Sequence, residues 1–104
     1  MYPVGEDINL IGESETKLLT GIVLDCEVNI ALAVKKLRSL GLKNVIFTLG
    51  KEGSAVVIGN EITLLPAVEG QTVVADENLA NAVSSALGRG ESAVDAVRFA
   101  TERA

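Results

Sequence analysis

The run Val45-Ile46-Phe47-Thr48-Leu49-Gly50-Lys51-Glu52-Gly53 constrains this chain more than any other stretch. An unbroken apolar run of this length, preceded by Gly41 and closed by Gly50, reads as a buried sheet strand rather than a helix. Gly50 and Gly53 then let the chain turn sharply and leave backbone N–H groups open. Proteins with alternating strands and helices use this arrangement to bring amides up to a phosphate.

The surrounding composition supports layers of helix and sheet. Nearly half of the 104 residues are apolar, yet the aromatic ones are only Tyr2, Phe47 and Phe99. The core is therefore built from Val, Leu, Ile and Ala, which suits an α/β fold better than an aromatic-rich sandwich. The length is that of one domain, residues 1–104, with a real core but no room for a second.

Charge and residue usage remove several function classes. The net charge is −5, and the densest positive group, Lys35, Lys36 and Arg38, reads as one solvated helix face. Nucleic acid and anionic membranes both require concentrated positive charge, so neither is an expected partner. The absence of histidine removes Ser-His catalysis, histidine acid–base chemistry and nearly all zinc sites. A lone cysteine, Cys26, allows no internal disulfide, and a cytoplasmic location is the expectation. Flanked by Asp25 and Glu27, Cys26 reads as a packing residue rather than a reactive one. No apolar stretch reaches membrane-spanning length, and residues 1–7 carry no export pattern.

The order of elements follows from periodicity and caps. Ile8 to Ile11 is a short strand, and Glu13 to Leu19 is a short helix closed by Gly21, its early acidic residues suited to the helix dipole. Asp25 is the expected N-cap of a long helix to about Leu40, with Ile30, Ala33, Val34 and Leu37 in one apolar stripe. Gly41 then caps its C-terminus, with Leu42 where a Schellman motif places its apolar contact. After the strand at 45–49, Ala55–Ile58 and Glu61–Leu65 form a hairpin across Gly59-Asn60. Gln71 to Ala75 reads as a further extended segment. Asp76 caps a helix from Glu77 to Leu87, with Leu79, Ala82, Val83 and Ala86 inward. Ser92-x-x-Asp95 resembles a capping box ahead of a last helix that turns Ala93, Ala96, Val97 and Ala100 inward. The sum is α/β, with a mixed sheet, one β-hairpin and flanking helices.

Four passages in this order resemble the C-terminal half of the ribokinase (PfkB-type) carbohydrate kinases. Glu13-Ser14-Glu15-Thr16-Lys17-Leu18-Leu19-Thr20-Gly21 is similar to the family's Asn-Glu-x-Glu…Leu-Thr-Gly segment. Leu42 to Gly53 resembles its Thr-Leu-Gly-x-x-Gly strand and turn, and Ile62 to Ala67 its strand ending in Pro-Ala. Ala82 to Ala100, including Val97-Arg98-Phe99-Ala100, fits the paired helices after the catalytic loop. The resemblance covers nearly the whole chain but only about a third of a typical family member. It implies a ribokinase-like, Rossmann-like partial domain.

The resemblance also implies roles. The family moves the γ-phosphate of ATP to a sugar-type hydroxyl, with magnesium, an Asp base and an anion hole of amides at a helix N-terminus. Thr48, Gly50 and Gly53 become the candidates for ATP contact, and Glu15 the candidate magnesium-side residue of the Asn-x-x-Glu element, whose Asn position is Gly12. The Gly-Ala-Gly-Asp motif falls on Val74-Ala75-Asp76-Glu77. Glu77 is then the candidate base, or Asp76 if the register shifts by one; the plain alternative is that both cap a helix. With both glycines replaced, a carboxylate stands where phosphoryl charge should develop. At about 4 Å and an effective dielectric near 20, such a like-charge pair costs on the order of 4 kcal/mol.

The leading expectation is a catalytically inactive kinase-like remnant that serves as a structural module and self-associates through a sheet edge or an apolar flank. The alternatives are an ATP-binding module acting through the glycine turn, and a kinase half completed by a separate partner chain. An excised piece whose only role is to fold is a further alternative.

Overall fold

The computed structural model of the chain describes residues 1–102. Five strands form one mixed sheet in sequence order: β1 (Tyr2–Gly5), β2 (Ile8–Gly12), β3 (Asn44–Thr48), β4 (Ser54–Ile58) and β5 (Glu61–Leu65). β2 and β3 run parallel, and every other neighbouring pair is antiparallel. A parallel pair needs a crossover. Two helices supply it, α1 (Glu13–Thr20) and α2 (Glu27–Ser39). Helices α3 (Glu77–Gly88) and α4 (Ala93–Glu102) follow the β4–β5 hairpin. The α/β mixed-sheet expectation is met.

Alternation along β3 explains why it reads as continuously apolar. Val45 and Phe47 face one core with α2, where Ile30, Ala33 and Leu37 meet Ile11, Ala55 and Val57. Ile46 faces the other, where Leu10, Val56 and Leu65 meet Val83 of α3 and Ala96 and Val97 of α4. The sheet is thus covered by helices on both faces, and its central strand is apolar on both. Phe47 is completely buried; removing such a side chain from water contributes about 1.5–3 kcal/mol.

The helix ends follow local chemistry. Gly21 closes α1 at φ +75°, its N–H donating to Lys17 O at 2.8 Å. At the end of α2, Gly41 N–H donates to Arg38 O and Leu42 N–H to Leu37 O, both at 3.1 Å. That pair of bonds is the expected Schellman motif. Ser92 Oγ accepts from Asp95 N–H at 3.2 Å, so one arm of the expected capping box forms.

Three local expectations are corrected, and one strand was missed. β1 was not foreseen: Pro3 masks it, and the link to β2 depends on Asp7 at φ +59°, a left-handed conformation Asp tolerates better than most residues. The N-cap of α2 is Cys26 rather than Asp25, whose carboxylate instead accepts from Asn29 Nδ2 at 2.7 Å. Cys26 is exposed rather than packed, because that cap stands outside the core. In α3 the inward position is Ala80 rather than Ala82, since α4 widens the buried arc on that side. The extended 71–75 segment joins the sheet region through one isolated bridge, Gly50 to Val73. No helix of the described residues is long and apolar enough to cross a membrane.

Candidate functional site

Parallel pairing brings the ends of β2 and β3 together, Gly12 opposite Thr48. α1 starts directly after Gly12, so its first turn stands beside the turn that leaves β3. The extended 71–75 segment crosses both. Between them lies a cavity of about 420 Å³ lined in part by Gly12, Glu13, Glu15, Thr48, Gly50 and Ala75. Three of the six candidate residues, Glu15, Thr48 and Gly50, are therefore brought together.

The remaining three lie elsewhere. Gly53 is outside this cavity's lining. A Cβ there would stand 2.0 Å from Leu65 O and 2.6 Å from Ala67 N, at a φ of +100°. Asp76 and Glu77 begin α3, and Asp76 borders a second cavity of about 450 Å³ with Asn78, Leu79, Ala100 and Thr101. Gln71 Nε2 donates to Thr101 O and so ties the 71–75 segment to the end of α4.

The turn after β3 is not a cradle of free amides. Gly50 N–H donates to Val73 O at 3.0 Å, and Val73 N–H returns to Gly50 O at 2.9 Å. Gly53 N–H donates to Gly50 O at 3.2 Å, and Glu52 N–H to Leu49 O at 3.1 Å. The expectation of open N–H groups at Gly50 and Gly53 is corrected: the turn closes on itself and on the 71–75 segment. Of the two turn glycines, only Gly50 lines the cavity, and a Cβ built there meets Glu13 Oε1 at 3.4 Å. Glu13 was not singled out by the sequence; its only signal was its place in the first turn after β2. Glu15 Oε1 lies 2.5 Å from the Met1 amino group.

At the start of α3, Asp76 accepts from Leu79 N–H at 2.8 Å, and the Asp76 carbonyl accepts the first helix bond from Ala80. A helix N-terminus holds anions because its first amides are unpaired. Here the chain's own carboxylate takes one of those donors. Asp76 is exposed, so solvent screens its repulsion well below the figure for a sheltered pair; the one donor it occupies, Leu79 N–H, is the firmer obstacle. A phosphoryl group at this helix start would meet the Asp76 carboxylate already bonded to Leu79 N–H. Among the described residues, no group of three or more His, Cys, Asp or Glu converges on a metal-sized site.

Comparison with known proteins matches the sequence and the fold. The profile of the pfkB family carbohydrate kinases matches residues 5–104. A ribokinase of Arabidopsis thaliana is 32% identical over 106 residues, covering 95% of this chain and 28% of that protein. The structure of Arabidopsis thaliana ribokinase complexed with ribose and ATP is similar at a TM-score of 0.74 and 31% identity, covering 94% of this chain and 33% of that one. Ribokinase from Thermotoga maritima is similar at a TM-score of 0.73 and 28% identity, over 91% of this chain and 33% of that one. The chain spans about a third of the length of these relatives. By profile, sequence and fold, this chain belongs to the pfkB family of carbohydrate kinases.

Proposed function

We propose that this chain keeps the pfkB framework without phosphoryl transfer and serves as a self-associating structural module. The observation that carries the reading is the Asp76 cap: its carboxylate accepts from Leu79 N–H where the family motif has a glycine. Phosphoryl transfer is largely positioning and charge stabilisation. A helix start that caps itself has one donor fewer for an incoming phosphate and adds a negative charge. Glu77 is exposed in the first turn of α3 and lines neither the cavity at β3 nor the one beside Asp76. A base needs hydrogen-bond reach to its hydroxyl, and neither of these two cavities brings one to Glu77.

The test is thermal unfolding of the purified chain with and without excess magnesium-ATP, alongside a phosphoryl-transfer assay with ribose. No shift and no transfer are expected. A ligand at a hundred times its dissociation constant adds about 2.7 kcal/mol of stability. A shift of that order would replace this reading with an ATP-binding module. Transfer that appears on adding a second chain and disappears in Glu77→Gln would replace it with a divided enzyme.

A further inference from the structure

We propose that the outer face of α2 docks a second copy of this chain, the two helices antiparallel about a two-fold axis beside Ala31. This names the surface for the self-association of the preceding reading and rests on it. α2 carries two apolar stripes. Ile30, Ala33, Val34 and Leu37 are buried against the sheet. On the opposite side Val28 is 68% exposed and Leu32 49% exposed. At 3.6 residues per turn, Val28, Leu32 and Lys35 fall within about 60° of one another, and Ala31 and Glu27 lie on the flank to which Lys35 leans. Asn29 Nδ2 donates to Val23 O at 3.0 Å, which holds the loop before α2, with its half-exposed Val23, beside this stripe. Leu18 on α1 is 87% exposed, and α1 packs against α2.

Charge selects the occupant and its orientation. The outer flank has Glu27 at its start and Lys35 near its end, and among the described residues neither forms an ion pair within the chain. Arg38 is already engaged, donating from Nε to Lys43 O at 2.9 Å. A two-fold axis across antiparallel helices brings each flank against the same flank of the other copy. Centred on Ala31, it sets Glu27 of each copy opposite Lys35 of the other, two pairs from one patch. Leu32 then sits between Val28 and Leu32 of the facing helix, and small Ala31 lets the backbones approach. Antiparallel dipoles add to the match. A parallel arrangement would keep Glu27 and Lys35 at different levels along the axis and form neither pair. Exposed pairs of this kind fix orientation more than affinity. One helix pair falls at or below the roughly 1,200 Å² of small stable interfaces, so the dimer is concentration-dependent.

Sedimentation equilibrium of the whole chain over a range of concentrations tests this. A monomer–dimer equilibrium is expected, abolished by Val28→Glu with Leu32→Glu while the circular dichroism spectrum is retained. Glu27→Lys should weaken the dimer about tenfold, and adding Lys35→Glu should restore it. In a Cys26→Ser background, Ala31→Cys should form a disulfide-linked dimer under added oxidant. Native Cys26 should not, because antiparallel α2 helices hold the two Cys26 positions roughly 15 Å apart along the axis. A Cys26-linked dimer, or one indifferent to Val28→Glu but lost with Thr63→Pro in edge strand β5, would overturn the α2 surface and leave self-association standing. A chain that stays monomeric at every concentration would overturn both.

Discussion

Two turns border the two cavities, one each, and they keep their residues for different reasons. The turn after β3 carries two glycines, Gly50 and Gly53, both at positive φ. Gly53 is demanded by packing alone: any Cβ there would stand 2.0 Å from the Leu65 carbonyl oxygen, at a φ of +100°. The start of α3 carries no such demand. Asp76 and Glu77 are exposed there, and the Asp76 carboxylate serves as a cap. The lesson is that an intact glycine motif reports on the backbone around it before it reports on a ligand. A glycine that the packed backbone requires is fixed, whereas an exposed helix start is free to carry a side chain.

The sharpest way to break this contrast is Gly53→Ala. Overlap with backbone atoms at Leu65, Pro66 and Ala67 leaves no side chain to yield, and the left-handed conformation adds strain. We expect a loss of about 3–5 kcal/mol, read as a large drop in the urea midpoint or as failure to fold. A loss under about 1 kcal/mol would mean that packing does not explain this glycine. Gly50→Ala sharpens the point by comparison. The φ is +62°, but the nearest atom is the carboxylate end of Glu13 at 3.4 Å, which can rotate away. Its cost should be that of one left-handed residue, about 1–2 kcal/mol. Asp76→Ala follows: loss of the cap should cost about 1 kcal/mol in the same denaturation experiment. A null effect there would remove capping as the reason for a carboxylate at position 76.

These contrasts show which features were legible in the residues. β3, the β4–β5 hairpin and the buried stripe of α2 were legible because period, β-branched content and glycine placement agree at each of them. The Schellman end of α2 was legible because Gly41 and Leu42 occupy the two positions it requires. β1 was not, since Pro3 weakens a four-residue strand and nothing local announces that its partner is β2. At the site, the meeting of Glu15, Thr48 and Gly50 followed once β2 and β3 were paired in parallel. What stayed hidden was the fate of the turn amides. Gly50 is closed by Val73, twenty-three residues away in sequence, and a bridge of two hydrogen bonds leaves no periodic trace. Glu13 faces Gly50 for the same non-local reason.

The smallest stability change is expected from the substitution that bears most directly on function. Asp76→Gly removes the carboxylate but keeps a residue that N-caps tolerably well, so the loss should be only a few tenths of a kcal/mol. The Leu79 N–H, now bonded to Asp76 Oδ1 at 2.8 Å, would be released. The helix start would again have unpaired donors and no fixed charge against an anion. Melting of wild type and Asp76→Gly should therefore be compared in magnesium-ATP and in magnesium chloride alone. A nucleotide-dependent rise in the variant only would show that the cap carboxylate occupies the place of a phosphate. Equal responses would break the comparison at its root: if both chains shift, Asp76 does not obstruct, and if neither shifts, the closed amides of the Gly50 turn exclude the nucleotide independently of α3.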